Sequence, residues 1–481
     1  MSSASHSSDN PLYFTEWSRE NITHLYERES DTTSLVPLPE YGFVVVLIPA
    51  HNEEARIVST LRSLREQTRH VDAIIVVADN CTDHTVAVAL AEGVTVISTE
   101  HNTQRKAGAL NQALDAILPK LHEDDIVLLM DADTRLGENF VASVTQTLWG
   151  DHRSRAIGGV GGVFMGDIDG WSLVQQLQQN EYVRYARKLA RRRGRALVLT
   201  GTGSIIQVGV LRNVMTARRD GMVPDLGNTN GVYDVDSLTE DNELTLTIKA
   251  KAMGMRTVSP KDCQVFTALM PNYAFLYQQR RRWQRGALEN LMAHGMHFYT
   301  APYVAKQIAS YVAIMFLPLY VTTLTLQIVY GGDHGLFPIF WVAVAVLYLL
   351  EQTWSVRKGG WRAVFISLAL VPEILYSLFL DVVFLMSLFG MIVSQHESWG
   401  RGIDEESAGH TGSSATLLLS GGHERTAHWL ARAVATLGLL MTFAIPIVPF
   451  FNRKLAWTAI AVFVIIGSIN TVIRLIPVPT R

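Results

Sequence analysis

Between residues 43 and 134 the chain carries four short apolar runs, "FVVVLIPAHNEE", "AIIVVADNCTDHT", "VTVIS" and "DIVLLMDADT". Their apolar residues are continuous rather than alternating. A strand of that kind is buried on both faces, and the helical stretches between the runs supply the cover. The prediction is an α/β domain: a mostly parallel sheet with helices on both faces. In such sheets ligands sit at the carboxyl ends of the strands. Three of the runs end in polar loops, which put Asp79, Asp131 and Asp133 at those ends.

The rest of the chain follows a different pattern. A length of 481 residues suggests two or three domains. Hydrophobic residues reach 48% against 18% charged, and the excess lies in the last 180 residues. That concentration argues against a uniformly soluble enzyme. Apolar runs occupy 308–330, 336–350 (adequate for a span if continued to 354), 364–393, 433–451 and 455–473. A bilayer span needs roughly 20 such residues. The run 364–393 is too long for one simple span and is interrupted by "VPE" at 371–373, so it reads as an interfacial helix followed by one span, or as a broken helix. About five spans are expected. The loop "SVRKGGWR" is basic and follows an even number of spans, which favours a cytoplasmic catalytic domain. The expected organisation is a polar, interfacial segment over 1–40, a cytoplasmic catalytic domain over 41–300 and a transmembrane region over 301–481. The protein would then be a multi-pass protein of the cell membrane. "MSSASHSSDN" shows no apolar signal-peptide core, so insertion would rely on the internal segments. Residues 396–427 form a polar loop. Cys81 and Cys263 lie far apart without metal-ligand spacing and read as reduced thiols.

Three stretches carry candidate chemistry. In "MDADT", alternation along an extended turn points Asp131 and Asp133 the same way. One or two carboxylates plus substrate phosphates commonly hold Mg²⁺ or Mn²⁺. Solvated acids in an ordinary strand-end turn are the plain alternative. In "LTEDNELT", Thr239 precedes a helix whose first turn holds Glu240, Asp241 and Glu243. Acids there suit the helix dipole without any further role. The functional reading makes Asp241, with Glu240 beside it, the catalytic carboxylate. "QQRRRWQRG", 278–286, sets four arginines around Trp283. Arginine forks bind phosphate oxygens, and an indole face suits a sugar ring. A positive-inside flank explains the arginines alone, but requires neither the tryptophan nor the glutamines. The basic run "RYARKLARRRGR" at 184–195 has no nucleic-acid fold signature beside it, so nucleic acid is not an expected partner. It reads as an amphipathic helix near anionic lipid or at the rim of the active site.

In chain order the sequence gives "ADNCTD", "DAD", "TED" and "QRRRW", then the apolar runs. This series resembles the processive, membrane-embedded enzymes of glycosyltransferase family 2: the cellulose, chitin, hyaluronan and poly-N-acetylglucosamine synthases. The match extends from residue 43 to about 290. It implies a GT-A catalytic domain that uses a UDP-sugar donor, a glycan acceptor, Mg²⁺ or Mn²⁺, and a lipid bilayer. On this sequence Pro49, Ala50 and Glu53 would contact the uridine, Asp79 would read the base, and Lys106 would lie near the nucleotide. Asp131 and Asp133 would hold the metal, with Asp133 the direct ligand. Gly201, Thr202 and Gly203, in the loop running to Ser204, would line the acceptor site. Asp241 would be the general base. Gln279, Arg282 and Trp283 would complete the series, Arg282 on diphosphate and Trp283 under the acceptor sugar.

Members of the family often carry transmembrane helices before the catalytic domain, and this sequence shows none there. With about five spans, one copy makes an unusual channel. The chain then extends a short glycan, or pairs as a homo-oligomer to build a path. The alternatives are a non-processive transferase acting on a lipid- or protein-linked acceptor and, more remotely, a transporter or scaffold with an inactive nucleotide domain.

Overall fold

A computed structural model of the chain describes residues 42–149, 157–168, 170–330 and 337–392, with short pieces between 454 and 465. The expected segments 1–40, 396–427 and 433–451, and most of 455–473, lie outside the described residues. In chain order the strands are β1 Val44–Ala50, β2 Ala73–Ala78, β3 Thr95–Ser98, β4 Ile126–Met130, β5 Thr134–Leu136, β6 Ile157–Gly161, β7 Val163–Asp167, β8 Gly203–Gln207, β9 Arg256–Val258 and β10 Gln264–Ala268. The helices are α1 Ile57–Arg65, α2 Thr85–Ala91, α3 Arg105–Ile117, α4 Phe140–Trp149, α5 Leu173–Arg191, α6 Val208–Arg219, α7 Glu240–Lys249, α8 Tyr273–His294, α9 Ala301–Tyr330, α10 Phe337–Val356, α11 Gly360–Ala369 and α12 Val371–Ile392.

These elements form two compact units, each discontinuous in sequence. The first takes in the described residues up to Val163, then Val198–Asp236 and Thr247–Thr267. It is built on a seven-stranded sheet in the order β3-β2-β1-β4-β8-β6-β9. The four apolar runs became β3, β2, β1 and β4, all parallel. β8 breaks the pattern by running antiparallel to both β4 and β6. Val44, Val45, Val46, Leu47 and Ile48 are all fully buried, as a strand covered on both faces must be. Ala107, Leu110, Leu114 and Ile117 recur at helical spacing and form the buried stripe of α3. β1 pairs with β2 on one side and β4 on the other, so the strand order reverses beside it. A crevice at the carboxyl ends of strands is expected at such a switch point. Pro49 fits the same geometry. The β1–β4 pairing ends at Leu47↔Leu129, so on that side the missing N–H costs no ladder bond.

The second unit takes in Phe164–Leu197, Ser237–Leu246 and the described residues from Ala268 onward. Its apolar centre joins Val174 and Leu177 of α5, Leu276 of α8, Ile366 of α11 and Tyr376 of α12. The long run 364–393 divides into two helices at Leu370, whose φ is +59°. Pro372 and Glu373 therefore fall in the first turn of α12, where a proline and an acid are both favourable. Among the described residues, α12 is the one helix long and apolar enough to cross a membrane.

Candidate active site

In the first unit, the loops after β1 and β2 lock each other. Asn52 Oδ1 accepts bonds from the backbone of Thr82 (2.8 Å) and Asp83 (3.3 Å). The Glu53 backbone N–H donates to Thr85 Oγ1 at 2.7 Å, and the Glu54 N–H to Asp83 Oδ2 at 3.2 Å. Burial alone would raise the Asp83 carboxyl, but donors from Thr85 and the Glu54 backbone outweigh it and hold the group below its usual range. Asn52 and Asn80 both adopt positive φ, a conformation asparagine tolerates better than most residues. Ala50 is buried at the end of β1, and its carbonyl accepts the Asp79 N–H at 2.8 Å. Glu53 is half-buried in the loop that follows.

Asp79 is itself buried, and its Oδ1 accepts from Asn102 (2.8 Å), Thr99 (2.9 Å) and Asn80 (3.1 Å). Its side chain is thus oriented before any ligand arrives. Asn102 is packed against Gly108, where any side-chain carbon would run into the Asn102 amide. The glycine of "RKAGALN" therefore holds up the residue that aims Asp79. Arg105, at the start of α3, has φ +58°, and its carbonyl accepts from Asn102 at 2.8 Å.

The turn after β4 alternates as the sequence implies. Asp131 and Asp133 are partly exposed, whereas Ala132 and Thr134 are buried. Lys106 Nζ donates to Asp131 Oδ1 at 2.6 Å and to the Gly201 carbonyl at 3.2 Å. Arg56 reaches Asp133 Oδ2 at 3.4 Å. Met130 pairs with Gly203, so the Gly201–Thr202–Gly203 turn lies at the same end of the sheet as the two aspartates. Lys106, Asp131 and Gly201, singled out separately in the sequence, thus meet in one cluster. A divalent cation fits this donor set. Two carboxylates suffice for Mg²⁺ when substrate phosphates and water supply the other ligands. Among the described residues no group of three or more His, Cys, Asp or Glu competes for the ion. Thr134 Oγ1 and Thr202 Oγ1 are buried without hydrogen-bond partners among the described residues.

The second unit holds the other candidates. α7 begins at Glu240, directly after Thr239. Of its first-turn acids, Glu240 and Glu243 are buried and Asp241 is half-exposed, with Oδ1 accepting the Asn242 N–H at 2.8 Å. Asp241 is thus the most accessible of the three. Gln279, Arg282 and Trp283 are partly buried on α8, where they recur at three- and four-residue spacing. Gln279 Oε1 is buried without a partner among the described residues.

Arg280 supports this stretch through partners that the sequence does not show. It pairs with Glu181 of α5 at 3.0 Å, and its guanidinium lies 4.6 Å from the centre of the Trp283 ring. Glu181 in turn accepts from the Tyr376 hydroxyl at 2.7 Å. Trp283 therefore has a cation on one face and is fixed through Arg280 to α5 and α12. The basic run 184–195 also hides an inward residue. Arg184 forks onto Glu373 with two bonds of 2.8 Å and also reaches Ser355 and Ser367 at 3.1 Å. A charge run in sequence does not show which of its members turns inward.

A family model described as glycosyltransferase like family 2 matches residues 39–286. No curated protein matches the chain. Solved structures that resemble it include the mannosyltransferase PcManGT from Pyrobaculum calidifontis in complex with GDP-Man and Mn²⁺ (19% identity, 72% of this chain and 93% of that chain, TM-score 0.44). Two more are residues 1–349 of TarS from S. aureus (16% identity, 51% and 65%, TM-score 0.31) and glucosyl-3-phosphoglycerate synthase from Mycobacterium tuberculosis with Mn²⁺, UDP and phosphoglyceric acid (18% identity, 53% and 80%, TM-score 0.34). Likenesses this distant say nothing about which sugar this chain handles.

Proposed function

The chain belongs to the glycosyltransferase-like family 2, and we propose that it is a membrane-embedded inverting transferase that moves a hexose from UDP-glucose or UDP-N-acetylglucosamine onto a glycan acceptor through a β linkage. The first unit has the GT-A-like α/β arrangement with a mostly parallel sheet. The observation that carries the proposal is the cluster after β4, where two aspartates and the Gly201 carbonyl are engaged by Lys106 and Arg56. A metal–diphosphate brings its own cation to the aspartates and its own anions to Lys106 and Arg56, so these partners can be exchanged without leaving a charge uncompensated.

In this proposal Pro49, Ala50 and Glu53 shape the uridine site, and Asp79, aimed by Asn102 and Thr99, reads the base. Asp131 and Asp133 would hold Mg²⁺ or Mn²⁺, which supplies charge neutralisation for the departing diphosphate. Lys106 binds phosphate oxygens. Gly201, Thr202 and Gly203 contribute to the acceptor site. Asp241 takes the proton from the acceptor hydroxyl, and Glu240 supports the turn that carries it. The acceptor oxygen attacks the anomeric carbon as the sugar–phosphate bond breaks. Arg282 stabilises the leaving UDP through bidentate bonds, and Trp283 offers an indole face to the acceptor sugar. A single displacement inverts the anomeric centre, and no covalent enzyme intermediate is needed.

The membrane reading assigns 301–481 to the bilayer region. It is supported by the length and apolarity of α12 and by the exposed apolar side chains of α11 and α12. Repeated addition by one enzyme, building a polysaccharide, extends the same proposal. The test is a panel of UDP-sugars offered to the purified, membrane-reconstituted chain, with UDP release and product length both measured. Turnover with UDP-glucose or UDP-N-acetylglucosamine and a ladder of long products is expected. Single-sugar products would refute repeated addition, and absence of UDP release with every donor would refute the proposal.

A further inference from the structure

The base-bearing turn of α7 and the helix carrying "QRRRW" lie in the same unit and are joined along one seam. Arg282, Gly286, Asn290 and His294 recur every four residues on α8, so they lie along one side of that helix. Three of them engage the segment around Asp241. At Gly286 an added Cβ would come within 2.5 Å of Thr239 Oγ1, 2.8 Å of Thr239 Cγ2 and 3.1 Å of Leu238 Cβ. Only a residue without a side chain lets the two segments approach this closely. Asn290 is buried and fully used: Nδ2 donates to the Thr239 carbonyl and to Thr239 Oγ1, both at 3.1 Å, while Oδ1 accepts from Ser237 Oγ at 3.0 Å. His294 Nε2 lies 3.3 Å from Glu243 Oε1, with both side chains buried. These contacts fall on residues 237, 239 and 243, on both sides of Asp241 in the chain, while Asp241 itself stays half-exposed.

The polarity of the seam matters. Apolar packing would hold two segments together in several registers. Hydrogen-bonded buried groups tolerate only one, because a slip by one turn leaves Asn290 and Glu243 buried without partners. We propose that Gly286 and Asn290 are positioning residues that set the Asp241 carboxylate at a fixed distance from Arg282 and Trp283. This rests on the reading of Asp241 as the base. A misplacement of about 1 Å in a reacting group costs on the order of 100-fold in rate, so a seam of this kind governs turnover without touching substrate.

The test compares the full chain, purified in a membrane mimetic, as wild type, Gly286→Ala, Asn290→Ala, Asp241→Asn, and each positioning variant combined with Asp241→Asn. Thermal midpoint, UDP affinity, kcat and donor KM are measured for each. The expected result is a fall in kcat of roughly 10- to 100-fold in Gly286→Ala and Asn290→Ala with UDP affinity unchanged. In the Asp241→Asn background the same substitutions should cost little more, because groups that act as one unit are non-additive. A purely structural role would instead give additive losses. If Gly286→Ala does not fold, Asn290→Ala decides alone. Full kcat in a folded Asn290→Ala, or additive losses, would overturn the positioning role while leaving Asp241 as base. Wild-type turnover in Asp241→Asn would instead remove the base, and the positioning role with it.

Discussion

Arg280, Arg281 and Arg282 are consecutive, and their surroundings separate them. Arg280 is spent on Glu181 and on the face of Trp283, while Arg281 lies 6.0 Å from the centre of the Tyr277 ring. A guanidinium that forks onto diphosphate cannot be replaced by an ammonium, whereas one acting by charge can. Arg281→Lys is therefore expected to keep most UDP release. Arg282→Lys should lose about 1.5–3 kcal/mol of transition-state stabilisation, the range for a charge-assisted hydrogen bond, or roughly 10- to 100-fold in kcat/KM. The comparison, normalised to inserted protein, fails the Arg282 role if the two variants match. The same scale governs the metal. Chelation by EDTA should abolish turnover, and Mg²⁺ or Mn²⁺ should restore it in the wild type but not in Asp133→Ala, since a site with two carboxylates has no spare ligand. Full activity in chelator would refute this. Asp131, Asp133, Arg282 and Trp283 were legible in sequence as candidates, from residue type and from the ordered motifs of the family resemblance. Their partners were not: nothing in "RKAG" says that Lys106 rests on Asp131, and nothing in "RRR" says which arginine covers Trp283.

At the level of elements, the apolar runs announced β1, β2 and β4 because strands this deeply buried cannot be written with polar residues. β3, at the sheet edge with only Val96 buried, was announced by its β-branched residues instead. The antiparallel β8 was not announced, since strand direction is set by the connections and not by the run itself. The interruption in 364–393 was visible from "VPE", but the break falls at Leu370, one residue earlier, because proline suits the first turn of a helix. What holds that turn is Arg184, seen in sequence only as one charge among many. The Arg184 side chain is 25% exposed and that of Glu373 4%, so the pair is largely removed from water. Without Arg184 the Glu373 carboxylate keeps, among the described residues, only the neutral donors Asn180 and Ser367, both at 2.8 Å. Leaving a buried charge uncompensated typically costs about 3–5 kcal/mol, whereas replacing both partners with apolar residues is often neutral. Arg184→Met is expected to lower the thermal midpoint markedly, and Arg184→Met with Glu373→Leu to recover most of the loss. If the double variant is as unstable as the single one, the loss in Arg184→Met does not come from an uncompensated Glu373 carboxylate.

For the whole molecule, the sequence divides into a charged first part and an apolar second part, and the second unit shows how its apolar surface is displayed. On α11, Trp361, Phe365 and Leu368 are exposed at helical spacing, and Trp361 is 74% exposed. On α12 the stripe continues through Val371, Leu375, Leu378, Val382, Met386 and Phe389. Arg357 and Lys358 lie just before α11 and Arg362 in its first turn, and the Arg362 guanidinium sits 5.6 Å from the centre of the Trp361 ring. In the proposed membrane reading, this stripe, with cations and a tryptophan at one end, would start at a lipid headgroup layer and continue into the bilayer. The chain is therefore expected to stay in the membrane fraction after alkaline carbonate washing. In a background where the other tryptophans are replaced by phenylalanine, Trp361 emission should be quenched by lipids brominated near the headgroup more than by lipids brominated at the chain end. Asp substituted at Leu375 and Val382 together should lower insertion, since an ionised group well inside a span costs about 2.5–3.5 kcal/mol. Release of the wild type by carbonate, with Trp361 emission indifferent to brominated lipid, would place this surface against protein or water and remove the bilayer from the proposed function.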